Sequence, residues 1–161
     1  EIADRDWSSD VCSSDLKVAS HRHTPEIEQE LGVLCHQPIQ LLFTPNLVPM
    51  NRGILAVCYA RLNEAGKAMS EEGISQIYRD FYHNEYFVRL TEGRIPDTKW
   101  VKGTNFCDIG VKIDKRTNRM IAMGAIDNLI KGAAGQAVQN MNLMFDLPEK
   151  TGIDLVSDYP V

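Results

Sequence analysis

The sequence predicts an α+β fold: a mostly antiparallel mixed sheet covered by helices. Three observations carry this. Strand-like runs outnumber helical ones, no βαβ rhythm runs along the chain, and KRTN (115–118) joins two adjacent strand-like runs as a hairpin. The bulk numbers fit one ordinary globular body: 161 residues, 43% hydrophobic and 24% charged, enough to build a real core. The net charge of -5 gives no general pull toward nucleic acid or an anionic membrane, so neither is an expected partner.

The elements are taken in chain order. Thr24 reads as an N-cap, Pro25 suits the first helical position, and Glu26 and Glu28 complement the helix dipole, with Ile27, Leu31 and Leu34 at helical spacing; a helix is expected over 25–35. IQLLFTP (39–45) reads as a strand ended by Pro45, and ILAVCYARL (54–62) as a second, largely buried strand. Ser70, Glu71 and Glu72 open a helix whose apolar stripe is Ile74, Ile77, Tyr78 and Phe81. YFVRL (86–90), TNFCDIGVKID (104–114) and RMIAMGAI (119–126) read as strands. In NLIKGAAGQAVQNMNLMF, the residues Ile130, Ala133, Ala134, Ala137, Val138, Met141 and Met144 lie at helical spacing. Gly132 and Gly135 in its first turns weaken that helix, so they point to a close approach to its backbone.

The first sixteen residues stand apart. DWSSDVCSSDL (6–16) has no helical or strand period and resembles the conceptual translation of a sequencing-library adaptor. The expected organisation is therefore 1–16 as a non-native, disordered peptide, 17–127 as one domain, and 128–161 as a C-terminal helix and tail. On this reading the chain is a fragment of a longer protein.

Three stretches could carry chemistry. In SHRHTPEIEQE, His21 and His23 flank Arg22. A zinc reading would recruit Cys35 or His36, but no third ligand stands at a recognised distance and Arg22 repels a cation, so no metal is expected. The alternatives are a solvated lead-in to the helix, or a general acid–base beside a cation that forks onto a carboxylate or phosphate. In PNLVPMNRGIL (45–55), Arg52 is either a solvated loop cation, a further anion contact, or part of an inter-subunit loop. In AIDNLIKGAAGQAVQNMNL (125–143), the helix start and Lys131 could attract an anion, or the glycines could serve packing alone. There Asp127 and Asn128 can act as cap and polar contact at once. Cys35, Cys58 and Cys107 sit in apolar or strand-like runs and read as buried, inert thiols. The four cysteines are widely spaced without a CxxC pair, which suggests a reducing, cytoplasmic setting.

HRHTPEIEQEL, FTPNLVPMNRGILAVCYA, GTNFCDIG and AIDNLIKGAAGQAVQNMNLMF, in this order, resemble the C-terminal half of the N-acetyl-gamma-glutamyl-phosphate reductases, across essentially all of 17–161. The resemblance implies a glyceraldehyde-phosphate-dehydrogenase-like C-terminal domain, with the final helix returning to a Rossmann domain missing from this chain. It implies an oxidoreductase of arginine biosynthesis, reducing N-acetyl-glutamyl 5-phosphate to N-acetylglutamate semialdehyde with NADPH. In the implied mechanism a cysteine thiolate attacks the acyl phosphate, phosphate leaves, and the thioester is reduced; that cysteine and most of the cofactor site lie outside the chain, so the fragment alone is expected to be inactive. His23 matches the family's catalytic histidine. His21, Arg22 and Arg52 are implied to help bind substrate, and Asn128, Lys131, Gly132 and Gly135 to lie near the nicotinamide end of the cofactor. Asn46 departs from the family's FTPHLVP, which puts a histidine's contribution there in doubt. A homo-oligomer, dimer or tetramer, is implied. The alternatives are the carrier-linked aminoadipyl-phosphate reductase of lysine biosynthesis and a non-catalytic dimerisation module.

Overall fold

A computed structural model describes residues 16–157 of the chain. The adaptor-like stretch, Cys12 included, lies almost wholly outside the described residues. The chain divides into two compact units between Pro49 and Met50.

The first unit is built on α1 (Thr24–Cys35). Its N-cap is His23 rather than Thr24: the Thr24 N–H already bonds to the His21 carbonyl, so Thr24 is drawn into the helix as its first residue. Pro25 sits in the first turn, where its missing N–H costs nothing. The helix ends at His36, which adopts a left-handed φ of 53° and returns its N–H to the carbonyls of Gly32 and Val33. The expected strand over 39–45 does not form among the described residues. Its backbone is tied elsewhere, the Leu41 N–H bonding to the Glu28 carboxylate at 3.0 Å, and Pro38 and Pro45 remove ladder donors at both ends.

The second unit carries the sheet. Its elements are β1 (Ile54–Arg61), α2 (Glu64–Ala68), α3 (Glu71–Tyr82), β2 (Val88–Leu90), α4 (Thr98–Val101), β3 (Cys107–Asp114) and β4 (Arg119–Ile126). A π-helical turn (Ile130–Ala134) then leads into α5 (Gly135–Met144). The strand order is β1-β4-β3-β2, antiparallel except for the parallel β2–β3 pair, which α4 and its flanking loops connect. The β3–β4 hairpin turns at Asn118, one of the few non-glycine residues with positive φ (51°).

Ser70 caps α3 as its sequence suggests, accepting the Gly73 N–H at 3.0 Å. Of the stripe on α3, Ile74 is buried whereas Ile77 and Phe81 are 51% and 64% exposed. The core of this unit gathers around Ile74, Phe87, Val101, Met123, Ala125 and Ile153. β1 corrects the expectation of a buried strand: all eight residues are exposed, because it is an edge strand paired only with β4 and neither face is covered among the described residues. Among those residues no helix is long and apolar enough to cross a membrane.

Candidate active site

The histidine cluster lies in the first unit. The turn that starts α1 brings the rings of His21 and His23 together edge-to-face, 4.9 Å between centroids, and lays His21 against Phe43 at 5.0 Å. The His23 N–H donates to Nδ1 of His21 at 3.2 Å, which makes that nitrogen the acceptor and leaves the proton of a neutral ring on Nε2. Partial desolvation, then the charges of His23, Arg22 and Lys17, hold His21 below the ordinary histidine range. His23 is exposed, and although it occupies the N-cap its imidazole makes no capping bond. Arg22 is exposed beside it.

The second constellation lies at the end of β4, in the other unit. Asp127 is completely buried, yet it is surrounded by donors. Its Oδ1 accepts the N–H groups of Leu129 (2.8 Å) and Ile130 (3.0 Å), and its Oδ2 accepts the Gly103 N–H (2.7 Å) and Arg52 Nη2 (2.5 Å). Burial pushes this carboxyl up, but the bonds from Gly103, Arg52, Ile130 and Leu129 together outweigh it and hold it below the usual carboxylate range. The next residue repeats the pattern: Asn128 Oδ1 accepts the Gly53 N–H at 2.8 Å, and its Nδ2 donates to the Asn51 carbonyl at 3.4 Å. Gly53 is needed in this loop, since it adopts φ 107° and a Cβ there would lie 2.6 Å from Thr98 Cβ.

Capping by Asp127 also shapes the turn beyond it. With its side chain on the Leu129 and Ile130 amides, the chain continues through wide i→i−5 bonds, Gly132 N–H to the Asp127 carbonyl (2.9 Å) and Ala134 N–H to Leu129 (3.2 Å). α5 then presents an inverted face. Gly135, Gln139 and Asn142 are buried, while Met141, Leu143 and Met144 are 45%, 55% and 79% exposed. Gln139 is the hub of the buried side: its Oε1 accepts from Asn105 Nδ2 (2.8 Å) and Lys131 Nζ (2.7 Å), and its Nε2 donates to Glu149 (2.5 Å). Burial holds the Lys131 ammonium below the ordinary lysine range, partly offset by Cys107, Glu149 and Glu85. The ammonium also lies 5.8 Å from the centre of the Phe87 ring.

These contacts test how the residues expected at a nicotinamide would serve it. The Asn128 amide is engaged at both ends by the 51–53 loop, and Lys131 is turned inward to Gln139. Gly135 is fixed by packing, because a Cβ there would overlap Asn105 and Ile130. Gly132, Ala133 and Ala134 of the turn are exposed. The side chains of this group therefore do not fit a direct cofactor contact, and Arg52, expected on substrate, is paired with Asp127. The sequence marks Asp127 as a cap; its partner Arg52, and the inward Gln139, carry no local signal.

The cysteines are less enclosed than their sequence suggests. Cys35 and Cys58 are exposed rather than buried, for they sit on an uncovered helix end and the open edge strand. Cys107 is half-buried, and burial pushes its thiol up. Among the described residues no group of three or more His, Cys, Asp or Glu could hold a metal ion. A cleft of about 390 Å³ between α3 and the β2–β3 edge is lined by charges already paired with one another: Arg79 with Glu72 and Glu92, and Lys112 with Glu71.

Comparison with known proteins agrees with this architecture. The family model described as semialdehyde dehydrogenase, dimerisation domain, matches residues 12–128. An N-acetyl-gamma-glutamyl-phosphate reductase of Lachnoclostridium phytofermentans is 55% identical over 144 residues, covering 89% of this chain and 41% of its own. One from Thermoanaerobacter sp. is 51% identical over 153 residues, covering 92% of this chain and 44% of its own. The chain thus spans roughly two fifths of the length of the curated relatives it matches. Among solved structures, an aspartate semialdehyde dehydrogenase II from Vibrio cholerae superposes with a TM-score of 0.56 at 18% identity, covering 78% of this chain and 37% of that one. That likeness carries the fold alone, and it is the glyceraldehyde-phosphate-dehydrogenase-like arrangement expected of such a domain.

Proposed function

The chain belongs to the semialdehyde dehydrogenase dimerisation-domain family, and from that membership we propose that it is the catalytic and dimerisation part of an N-acetyl-gamma-glutamyl-phosphate reductase. The reading is an oxidoreductase of arginine biosynthesis in the cytoplasm. N-acetyl-glutamyl 5-phosphate, NADPH and a proton give N-acetylglutamate semialdehyde, phosphate and NADP⁺, by way of a cysteine thioester. The nucleophile and most of the cofactor site are assigned to sequence outside these 161 residues. The observation that carries the reading is 55% identity sustained along 144 residues, which takes in all four motifs.

Within this chain, His23 is the acid–base group. Exposed and free of capping duty, its imidazole can take the thiol proton and later supply a proton to the oxygen of the forming aldehyde. His21 supports it from behind, and Arg22 offers a fork for the phosphate or carboxylate of the substrate. The test is NADPH oxidation with the acyl phosphate, run on the chain as given and on the chain rejoined to its genomic upstream sequence. The rejoined enzyme should turn over and the short chain should not. Turnover by the short chain would refute the placement of the nucleophile, and an inactive rejoined enzyme would refute the reductase reading.

The dimer contact is assigned to β1. It is an edge strand with no neighbour on one side among the described residues, and Ile54, Leu55, Val57 and Tyr59 are 46%, 49%, 42% and 69% exposed. A long apolar edge of this kind associates unless something covers it, and in a dimerisation domain a second copy is the natural cover. Tyr59→Glu and Leu55→Glu should therefore each convert the sedimenting species to monomer. An unchanged dimer in both variants would place the contact elsewhere.

A further inference from the structure

We propose that Asp127 and Asn128 form a clasp that positions the Asn51–Gly53 loop against the turn leading into α5, so that Arg52 and Asn128 shape the site without touching a ligand. The assignment of that site to a reductase rests on the proposed function; the clasp itself stands on geometry.

The two adjacent residues grip one loop in two different ways. Asp127 reaches the Arg52 side chain, and Asn128 reaches the backbone on either side of it, at the Asn51 carbonyl and the Gly53 N–H. The same Asp127 carboxylate holds Gly103, at the approach to β3, and the Leu129 and Ile130 amides of the turn. Three segments far apart in sequence thus meet on one buried charge. Arg52 is held here by one edge: Nη2 is committed to Asp127 and Nε is buried without a partner, while the side chain as a whole stays 31% exposed. The side-on edge of a guanidinium, Nε with one Nη, is one of the two forks that can grip a carboxylate or phosphate with parallel bonds. Here that edge is turned inward, with one nitrogen bonded and the other enclosed.

A simple helix cap and a clasp make different predictions. If Asp127 only caps the turn, Asp127→Asn disturbs Leu129 and Ile130 and nothing else. If it is the centre of a clasp, releasing Arg52 also loosens Gly53, whose own acceptor on Asn128 is untouched by the substitution. Amide hydrogen exchange on the 161-residue chain reads this directly. Asp127→Asn should speed exchange of the Gly53 amide at least about tenfold, as a local opening stabilised by one fewer interaction would allow. Arg52→Lys, which keeps the charge and all backbone acceptors, should speed Gly53 and Gly103 in the same way and serves should Asp127→Asn fail to fold. Acceleration confined to Leu129 and Ile130 would overturn the clasp.

In the rejoined enzyme the same claim separates kcat from KM. Arg52→Lys and Asp127→Asn should lower kcat to a similar extent, the double variant no further than either, with KM for the acyl phosphate unchanged. A rise in that KM seen with Arg52→Lys alone would make Arg52 a ligand contact and overturn its positioning role. Absence of turnover in the parent would remove the reductase reading, while hydrogen exchange would still decide the clasp.

Discussion

Replacing His23 with alanine in the complete enzyme is expected to lower kcat/KM for the acyl phosphate by about 10²- to 10⁴-fold, the usual contribution of a positioned acid–base group. The expectation rests on what the ring is not doing. His23 holds the N-cap position of α1, where a short polar side chain would ordinarily bond the free amides of the first turn, yet no such bond forms and the residue is exposed. A helix stability role is thereby removed, and alanine at this place should cost the fold little. His21 makes the contrast. Its Nδ1 accepts the His23 N–H and its ring lies edge-on to Phe43, so it belongs to the support of the turn. His21→Phe keeps an aromatic ring there and should lose far less activity than His23→Ala. A His23→Ala enzyme with normal turnover would dismiss the residue from the chemistry.

How far these features were legible in the sequence depends on the range of the interaction involved. Ser70 capping α3, the hairpin at 115–118 and the limits of β4 depend on residues a few positions apart, and they stand where the sequence puts them. The α1 start shifts by one residue because a backbone bond from Thr24 to His21, not the side-chain preference of threonine, decides it. The strand expected at 39–45 had the right side chains but lacks a partner in the described residues, and a strand is defined by its partner. The burial of β1 failed for a related reason: apolar content says that a strand can be covered, not that a neighbour covers it. At the candidate site, Asp127 could be read as a cap because its donors lie two and three residues on. Its bond to Arg52 spans 75 positions and left no local trace. Lys131 likewise read as a charge that could attract an anion at the helix start, because its inward partner Gln139 is specified only by the packing of Asn105 and Glu149 around it.

Gly135→Ala should destabilise the chain by about 1–3 kcal/mol, the cost of forcing a methyl group into a packed site. Helix propensity argues the other way, since alanine in a helix is favoured over glycine by about 1 kcal/mol. The local space decides between them. A Cβ at 135 would stand 2.7 Å from Ile130 Cγ2 and 2.8 Å from the Ile130 carbonyl oxygen, and would overlap Asn105 Oδ1 as well. The Ile130 side chain can rotate, but its carbonyl accepts the Gly135 N–H in the π-helical turn and cannot move without opening it. Asn105 is equally constrained: it is fully buried, its Nδ2 is held by Gln139, and its Oδ1 has no other partner than this close approach to the glycine. Gly124→Ala is the matched control, because a Cβ there meets nothing within 4 Å and the position lies within β4. Denaturant midpoints should therefore fall for Gly135→Ala and hold or rise for Gly124→Ala. Adding Asn105→Ala to Gly135→Ala removes one of the three overlaps and should give back only part of the loss, since the Ile130 carbonyl remains. A Gly135→Ala chain as stable as the parent would mean that the turn can widen freely. The glycine would then be kept for access to its backbone rather than for packing.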